Sequence, residues 1–378
     1  MIVRELELKN FRNLNVKLEP SSSFNLIIGN NGSGKSNLLD CLYYFALAKS
    51  FKPYVLKNNI NIKNPVDFGL ISASIDKDEM IKHLKIIFSH IGEENEHKRF
   101  EVNDKPTTKA KFTSHLYVIL FAPHNINLVI GTPQLRREEF DDYCSICDYK
   151  YAYMLDEYNN VLKNRNRLLR SINEGNANTS QLQYWDEKLV DLGSNLIYQR
   201  QEMINALNPI VTRFAKEYLK EELKGFNLTY TSKFIETEDE AFGLEVNVIS
   251  SRFKQRLLEK RDAEIAVKQT LYGPQKDDYS FILSKQYDFK TFGSRGQQRM
   301  ITLILKLAMW EHLFLIKETK PIILLDDVMS ELDEGNKKIL EKIIEKLDCQ
   351  TFITTTHESD FSKSFRDKMN ITKLGGVI

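Results

Sequence analysis

The stretch Phe24-Asn-Leu-Ile-Ile-Gly-Asn-Asn-Gly-Ser-Gly-Lys-Ser36 decides the fold. Its apolar start, Phe24 to Ile28, reads as a strand, and the residues from about Lys35 to Ala48 read as a helix. Between them, Gly29 to Ser36 fits G-x-x-x-x-G-K-[ST], and strand, loop and helix in that order is the context this motif requires. Gly29, Gly32 and Gly34 let the backbone wrap closely, so that amides of the loop, which also holds Asn30, Asn31 and Ser33, point at phosphate oxygens. The helix start adds positive potential at the same point. Lys35 is expected to reach the β- and γ-phosphates of ATP, and the Ser36 hydroxyl to ligate Mg2+.

About 290 residues downstream, Pro321-Ile-Ile-Leu-Leu-Asp-Asp327 is a continuous apolar run ending in two carboxylates. It reads as a strand buried on both faces, and ligands of open α/β sheets sit at the carboxyl ends of such strands. Asp326 is expected to hold Mg2+ and Asp327 to polarise the attacking water. Any buried strand has this apolar pattern; its combination with the phosphate loop is what gives the aspartates meaning.

Ser294-Arg-Gly-Gln-Gln-Arg299 opens an amphipathic helix, and Ser294 with Gln297 three residues on is a capping-box pattern that presents the helix start outward. The segment resembles the signature of ABC ATPases, which binds the γ-phosphate of a nucleotide held by the other subunit; Ser294, Gly296 and Gln297 are its candidate contacts. Ser330-Glu-Leu-Asp333 follows the aspartates as a D-loop does. Phe352-Ile-Thr-Thr-Thr-His357 reads as the next strand, with His357 either a switch residue on the γ-phosphate or a solvated strand-end side chain. At the Q-loop position there is no glutamine; Phe121-Ala-Pro-His-Asn125 fills it.

Between the two halves, alternating apolar runs from about 66 to 121 suggest an antiparallel sheet. From Asp148 the period becomes helical through Tyr151, Leu155, Tyr158, Leu162 and Leu169, breaks at 173–180, and resumes from Leu182 to Leu207, with Pro209 marking a kink or a boundary. These segments form a helical hairpin, either packed into its own domain or projecting as an arm. Asn227–Thr231 and Leu244–Ile249 read as strands. The expected fold is α/β, an ABC-type head built from both chain ends, 1–125 plus 270–378, with an inserted mainly helical arm domain, 126–269 (hairpin about 148–222, then an α+β segment).

The 378 residues contain 53 Lys and Arg against 52 Asp and Glu, a net charge of +1, so nucleic-acid affinity has to come from a local basic face. Lys49, Lys52 and Lys57, Arg136 and Arg137, and Arg252, Lys254, Arg256, Lys260 and Arg261 are candidate phosphate contacts, though a cluster of this kind is by itself more often a solvated surface than a DNA site. The amino terminus, MIVRELELKNFRN, lacks the apolar core of a secretory signal. The most apolar stretch, Met300 to Ile316, is broken by Lys306 and Glu311, so no membrane association and a cytoplasmic location are expected. Four scattered cysteines indicate reduced thiols, and the lone Cys144-x-x-Cys147 pair, on a helical pattern, is at most half of a zinc site.

Nearly the whole chain resembles the RecF family. The likeness runs through Leu8-Lys-Asn-Phe-Arg-Asn13, Ser36-Asn-Leu-Leu-Asp-Cys-Leu-Tyr43, Ala48-Lys-Ser-Phe51, Leu128-Val-Ile-Gly-Thr-Pro-Gln-Leu-Arg-Arg137, Tyr158-Asn-Asn-Val-Leu-Lys-Asn-Arg-Asn-Arg-Leu-Leu169 and Gly273-Pro-Gln-Lys-Asp-Asp278. Aspartate at 327 also fits, whereas Glu139 and the Gln275-Lys276 pair depart from the usual pattern. The resemblance implies that Arg12 and Asn37 join the nucleotide site. It further implies a slow ATPase acting in DNA repair, replication and the SOS response. Its implied partners are double-stranded and gapped DNA, a second copy in an ATP-dependent homodimer, and RecR with RecO, in placing recombinase at gaps. The alternative is the head of another SMC-type or ABC ATPase not acting in gap repair. Chromosome-associated heads carry far longer coiled coils, and transporter subunits lack the helical insertion.

Overall fold

The computed structural model describes residues 1–52, 59–60, 68–91, 95–219, 225–235, 243–284 and 287–375. Their contacts divide the chain into two compact units, Met1–Asn125 with Leu305–Ile378, and Ile126–Ile304.

The first unit contains two sheets. One is antiparallel, built from β1 (Ile2–Phe11), β2 (Leu14–Leu18), β4 (Phe68–Lys77), β5 (Met80–Ile91), β6 (Asn95–Val102) and β7 (Lys105–Thr107) in the order β2-β1-β4-β5-β6-β7. Period-2 alternation sets its faces: Ile71, Ala73 and Ile75 of β4 and Leu84, Ile86 and Phe88 of β5 are all buried. The other is parallel, from β3 (Phe24–Ile28), β8 (Val118–Phe121), β12 (Ile322–Asp326), β13 (Thr351–Thr355) and β14 (Met369–Lys373) in the order β14-β3-β13-β12-β8. Every residue of β12 and β13 is buried, as continuous apolar runs of parallel strands require. Helix α1 (Lys35–Leu47) is likewise buried through Leu38, Leu39, Cys41, Leu42 and Phe45. The two sheets are joined by Gln350, whose carboxamide accepts from Val3 N (2.7 Å) and donates to Val3 O (2.9 Å).

The second unit is built on α2 (Pro133–Cys147), α3 (Tyr149–Asn173), α4 (Leu182–Tyr218) and α5 (Val246–Val267), with a short antiparallel sheet of β9 (Asn227–Thr231), β10 (Asp278–Ser284) and β11 (Tyr287–Asp288). The stripes of α3 and α4 are core: Tyr151, Tyr158 and Leu169, and Leu189, Leu196 and Leu207, are buried. At Gly193 a Cβ would lie 2.6 Å from the Phe253 ring of α5, so glycine there is what lets the two helices approach. Pro209 neither ends nor marks the boundary of its helix; α4 runs through it to Tyr218. Beside it, Asn208 exchanges two hydrogen bonds with the backbone of Leu228 in β9 (2.9 and 3.0 Å), anchoring α4 where the proline removes a donor. The strand expected at Leu244–Ile249 is instead the start of α5, since Ile249, Phe253 and Leu257 are buried at a spacing of four. Residues 270–304, grouped with the head in the sequence reading, pack within this second unit because β10 pairs with β9.

Two fully buried arginines pin the helices. Arg200 of α4 holds Asp141 of α2 through two bonds (3.0 and 2.9 Å) and donates to Pro274 O (2.8 Å). Arg165 of α3 reaches Asp186 of α4, Glu264 of α5 and Thr270, each at 2.7 Å. A buried arginine is tolerable when its donors are all met, and removal of one partner strands a charge. Asp277, 1% exposed, receives the Tyr230 hydroxyl and stands 3.7 Å from Arg200. Burial pushes its carboxyl up from 3.8 to about 6, against the opposing pull of Arg200.

A raised folded pKa means that Asp277 favours the folded state fully below the unfolded pKa and loses that contribution as pH rises through the folded one. The window is pH 4 to 6, and the change amounts to about 3 kcal/mol. Denaturant titrations should show the Asp277→Asn variant losing less stability, or gaining more, than the wild type between these pH values; parallel curves would refute the assignment.

Candidate nucleotide site

The register of the parallel sheet places the motif residues. Thr354 of β13 stands opposite Ile27 of β3 on one side and Asp326 of β12 on the other, so the phosphate loop and the two aspartates leave the sheet at the same end, one strand apart. Strands lie about 4.8 Å apart, which sets a spacing of roughly 10 Å between the chain at Gly29 and at Asp326.

The loop itself needs glycine. Gly32 and Gly34 have φ of 83° and 102°, and a Cβ on Gly34 would lie 2.6 Å from Leu14. Lys35, 8% exposed, folds its Nζ onto the carbonyls of Gly29 (2.5 Å) and Asn30 (3.2 Å). The Ser33 hydroxyl is buried without a hydrogen-bond partner, and Asn30, Asn31 and Gly32 lie at the exposed or half-exposed lip. Ser36 is half-buried at the first turn of α1. A buried orphan hydroxyl in a glycine loop at a helix start is what an anion with several acceptor oxygens satisfies, while the Ser33 amide is bonded to Asn30 O (3.1 Å).

The turn between β1 and β2 braces the loop. Asn13 donates to Gly32 O (3.1 Å) and accepts from Asn37 Nδ2 (2.7 Å). Arg12, at φ 55°, donates to Asn37 Oδ1 (3.0 Å), Ser50 Oγ and Asn59 Oδ1 (3.2 Å each), and pairs with Asp40 at 2.6 Å. Asp40 is completely buried in α1; burial pushes its carboxyl above the usual range, while Arg12 and the Phe51 amide pull it back. Lys52, bonded to Asn37 Oδ1 at 2.7 Å, is held below the ordinary lysine range by burial and by Arg12, while Asp40 and Asp326 act in the opposite direction. Asn37 is thus wholly engaged within the protein.

At the acidic end, one hydroxyl fixes both carboxylate-bearing residues. Thr354 Oγ1 donates to Asp326 Oδ1 (2.8 Å) and accepts from Asp327 N (3.0 Å), while Asp327 N also reaches Thr354 O (3.2 Å). Asp327 takes φ 50°, a turn that aspartate tolerates, and its carbonyl accepts from Ser330 Oγ (2.8 Å). Asp333 caps the helix α7 (Glu334–Leu347) by accepting from Asn336 N (2.9 Å). His357 is exposed at the end of β13, its backbone N donating to Thr355 Oγ1 (3.3 Å). At the Q-loop position, Asn125 Oδ1 accepts from Ala122 N (2.7 Å), and His124 stacks on Phe51 at 6.0 Å.

In the second unit, Ser294 and Gln297 close the expected capping box at the start of α6 (Arg295–Lys317). Gln297 Oε1 accepts from Ser294 N (2.8 Å), and Ser294 Oγ accepts from Gln297 N (3.3 Å). Ser294 and Gly296 are exposed, with open space around Gly296.

Sequence reasoning missed Asn13 and Thr354, and read Lys52 as a candidate DNA contact where it bonds Asn37 beside the loop. Asn13 and Thr354 act on named site residues and carry no motif of their own. Among the described residues no group of three His, Cys, Asp or Glu is placed to hold a metal ion, and Cys144 is buried within α2. The Ser36 hydroxyl and the Asp326 carboxylate are the residues that would hold Mg2+. This suits an ion that keeps several waters and completes its shell with phosphate oxygens.

The basic clusters are largely consumed by structure. Arg136 pairs with Asp278 (2.7 Å), Arg137 donates to Asp277 O (2.6 Å), Arg261 pairs with Asp186 (3.2 Å), and Arg256 with Glu259 (3.5 Å). Arg252 donates to Phe234 O (2.9 Å), and Lys57 lies outside the described residues.

A parallel sheet with a phosphate loop and two aspartates at one end, and a capped helix start elsewhere in the chain, defines a head of the ABC/SMC class. Residues 2–376 match the family described as RecF/RecN/SMC N terminal domain. The DNA replication and repair protein RecF of Geotalea daltonii is 33% identical over 358 residues, covering 94% of this chain and 93% of that one. RecF of Thermoanaerobacter sp. (strain X514) is 34% identical over 363 residues, covering 95% of each. A solved structure of the recombination mediator protein RecF with ATPγS, described as part of the RecFOR pathway, superposes with a TM-score of 0.84 at 30% identity, over 95% of this chain and 94% of that one. The Smc head of Pyrococcus furiosus, at a TM-score of 0.53 and 14% identity, shares the fold. This chain belongs to the RecF family of DNA replication and repair proteins. No helix among the described residues is long and apolar enough to cross a membrane.

Replacing Thr354 by Val should leave Asp326 Oδ1 without its buried donor and destabilise the first unit by about 1–3 kcal/mol, whereas Thr354→Ser should lie within about 1 kcal/mol of the wild type. Chemical denaturation of the two variants tests this; equal stabilities would show that the hydroxyl does not hold the aspartates.

Proposed function

We propose that this protein is an ATP-dependent DNA clamp of recombinational repair. ATP drives two copies together head to head on double-stranded DNA near single-strand gaps. Slow hydrolysis to ADP and phosphate releases them, and the clamp helps load recombinase at gaps and stalled forks. The observation that carries this reading is the presence of two complementary halves of one phosphate site on a single chain. One is the loop at Gly29–Ser36 with Asp326 and Asp327; the other is the exposed, capped helix start at Ser294–Gln297.

In the dimer, Lys35 exchanges the carbonyls of Gly29 and Asn30 for the β- and γ-phosphates of ATP, and the amides of Asn30 to Ser33 bind the phosphates. Ser36 and Asp326 would hold Mg2+, which would neutralise charge on the phosphate oxygens. Ser294, Gly296 and Gln297 of the second copy close over the γ-phosphate. Asp327 takes the proton of the attacking water, and the shorter reach of aspartate than of glutamate suits a slow timer. His357 is free to turn to the γ-phosphate. Arg12 and Asn37 act by fixing the loop from behind through Asn13 and Asp40. Because ATP binds the closed pair better than the open monomer, it shifts that equilibrium by its differential affinity. The likeness to a RecF solved with ATPγS supports the ligand, and the RecFOR designation of that protein supports RecR and RecO as partners.

Sedimentation is expected to show monomers with ADP and dimers with ATP, and Lys35→Arg should abolish the ATP-driven dimer; a wild-type dimer indifferent to nucleotide would overturn the proposal. Asp327→Asn should bind ATP, hydrolyse it at least about 100-fold more slowly and accumulate as the dimer. Normal turnover in that variant would remove Asp327 from the role of base.

A further inference from the structure

Most of the described cations in the clusters proposed from sequence are engaged by internal ion pairs or hydrogen bonds, yet another basic surface stands on α3. Its buried stripe of Tyr158, Val161, Arg165 and Leu169 faces the core, which leaves Lys163, Arg167 and Arg170 on the exposed side at spacings of four and three, one helical face. With Lys268 just beyond the end of α5 they line a groove of about 440 Å³. Lys163, Arg167 and Arg170 have no carboxylate partner among the described residues, and Lys268 is 3.3 Å from Glu174. The lining holds no acidic residue; its other polar groups are the carboxamides of Asn159, Asn166 and Gln269. Asn166 Oδ1 is taken by Thr270 N and Oγ1 (2.8 Å each), so only its NH2 remains to offer, another donor.

We propose that this groove binds the sugar–phosphate backbone of duplex DNA. The inference rests on the DNA-clamp reading and assigns it a contact face. Unpaired cations kept on one side of a helix, joined by amide donors and free of carboxylates, suit a ligand that is a regular array of anions. Lys163 to Arg170 spans about 10 Å along the helix axis, long enough to meet more than one phosphate of a strand. No aromatic side chain lines the groove, so it has no platform for stacking unpaired bases and no element to read base edges. A neighbouring groove between α4 and α5 gives the contrast: there Lys254 and Arg261 share the walls with Asp186, Glu187 and Asp191, and its charge is offset.

The test is duplex binding by the full-length protein with a non-hydrolysable ATP analogue, followed by anisotropy of a labelled blunt duplex between about 50 and 200 mM salt. The triple variant Lys163→Gln, Arg167→Gln, Arg170→Gln is compared with a charge-matched control, Lys150→Gln, Lys188→Gln, Lys216→Gln, both checked for ATP-driven dimerisation. Removing three phosphate contacts should lower the slope of log K against log salt by about 2.7, which shrinks the affinity lost across this salt range by about 40-fold. The control should keep the wild-type slope. Equal slopes in wild type and triple variant, or equal losses in both triples, overturn the groove while leaving the clamp reading intact. A wild type that does not bind duplex at all overturns both. Capture of a labelled polyglutamate peptide by wild type but not by the triple variant, with DNA binding unchanged, also overturns it, in favour of an acidic protein partner.

Discussion

The spacing between the phosphate loop and the acidic residues is set by β13, a single strand inserted between β3 and β12, and by the one hydroxyl on it that touches both aspartates. Since the register pairs Thr354 with Ile27 and with Asp326, the loop after β3 and the carboxylate after β12 cannot drift apart without breaking a buried parallel ladder. Thr354 Oγ1 has one proton and two lone pairs. By giving the proton to Asp326 and a lone pair to the Asp327 amide, it orients a carboxylate and a turn at once. The chain order scatters these residues over more than 300 positions; the strand order collects them.

A second constraint acts behind the loop. Asp40 has no exposure, so its charge has to be met from inside, and Arg12 meets it. Arg12 also grips Asn37, and Asn37 grips Asn13, which holds Gly32 O. The loop that faces a ligand is therefore backed by a buried ion pair and a chain of amides. Its conformation is fixed by the fold before any phosphate arrives, which is the physical content of preorganisation.

The elements legible in the sequence were those with a strict period or a motif tied to backbone geometry. The strand–loop–helix at Phe24–Leu47, the buried strand Ile322–Asp326 and the reciprocal capping box at Ser294 all follow from local chemistry. Where two periods coincide over a few residues, as at Leu244–Ile249, alternation is no guide and the helix is revealed only by burial at a spacing of four. Pro209 is not a boundary because a lost hydrogen bond inside a long amphipathic helix is outweighed by the packing of Leu207 and Val211 on either side of it. Thr354 and Asn13 were invisible for a different reason: their importance lies in partners distant in sequence. The same holds for Arg200 and Arg165, which in sequence are ordinary helical cations.

Those two arginines and the cationic groove show why a count of charges says little about partners. With a net charge of +1 the chain has no bulk field to attract nucleic acid. What distinguishes Arg165 from Arg167, two residues on, is the side of α3 on which each lies. The first is buried and neutralised by Asp186 and Glu264, and the second is exposed with no acid against it among the described residues. The helical period thus sorts one basic segment into structural cations facing inward and free cations facing outward, and only the free ones can neutralise phosphates and so release the counterions condensed on DNA. The inward set requires the carboxylates that the outward set lacks. The near balance of charge over the chain is therefore compatible with a strongly basic groove, because many of the acidic residues are committed to holding the fold.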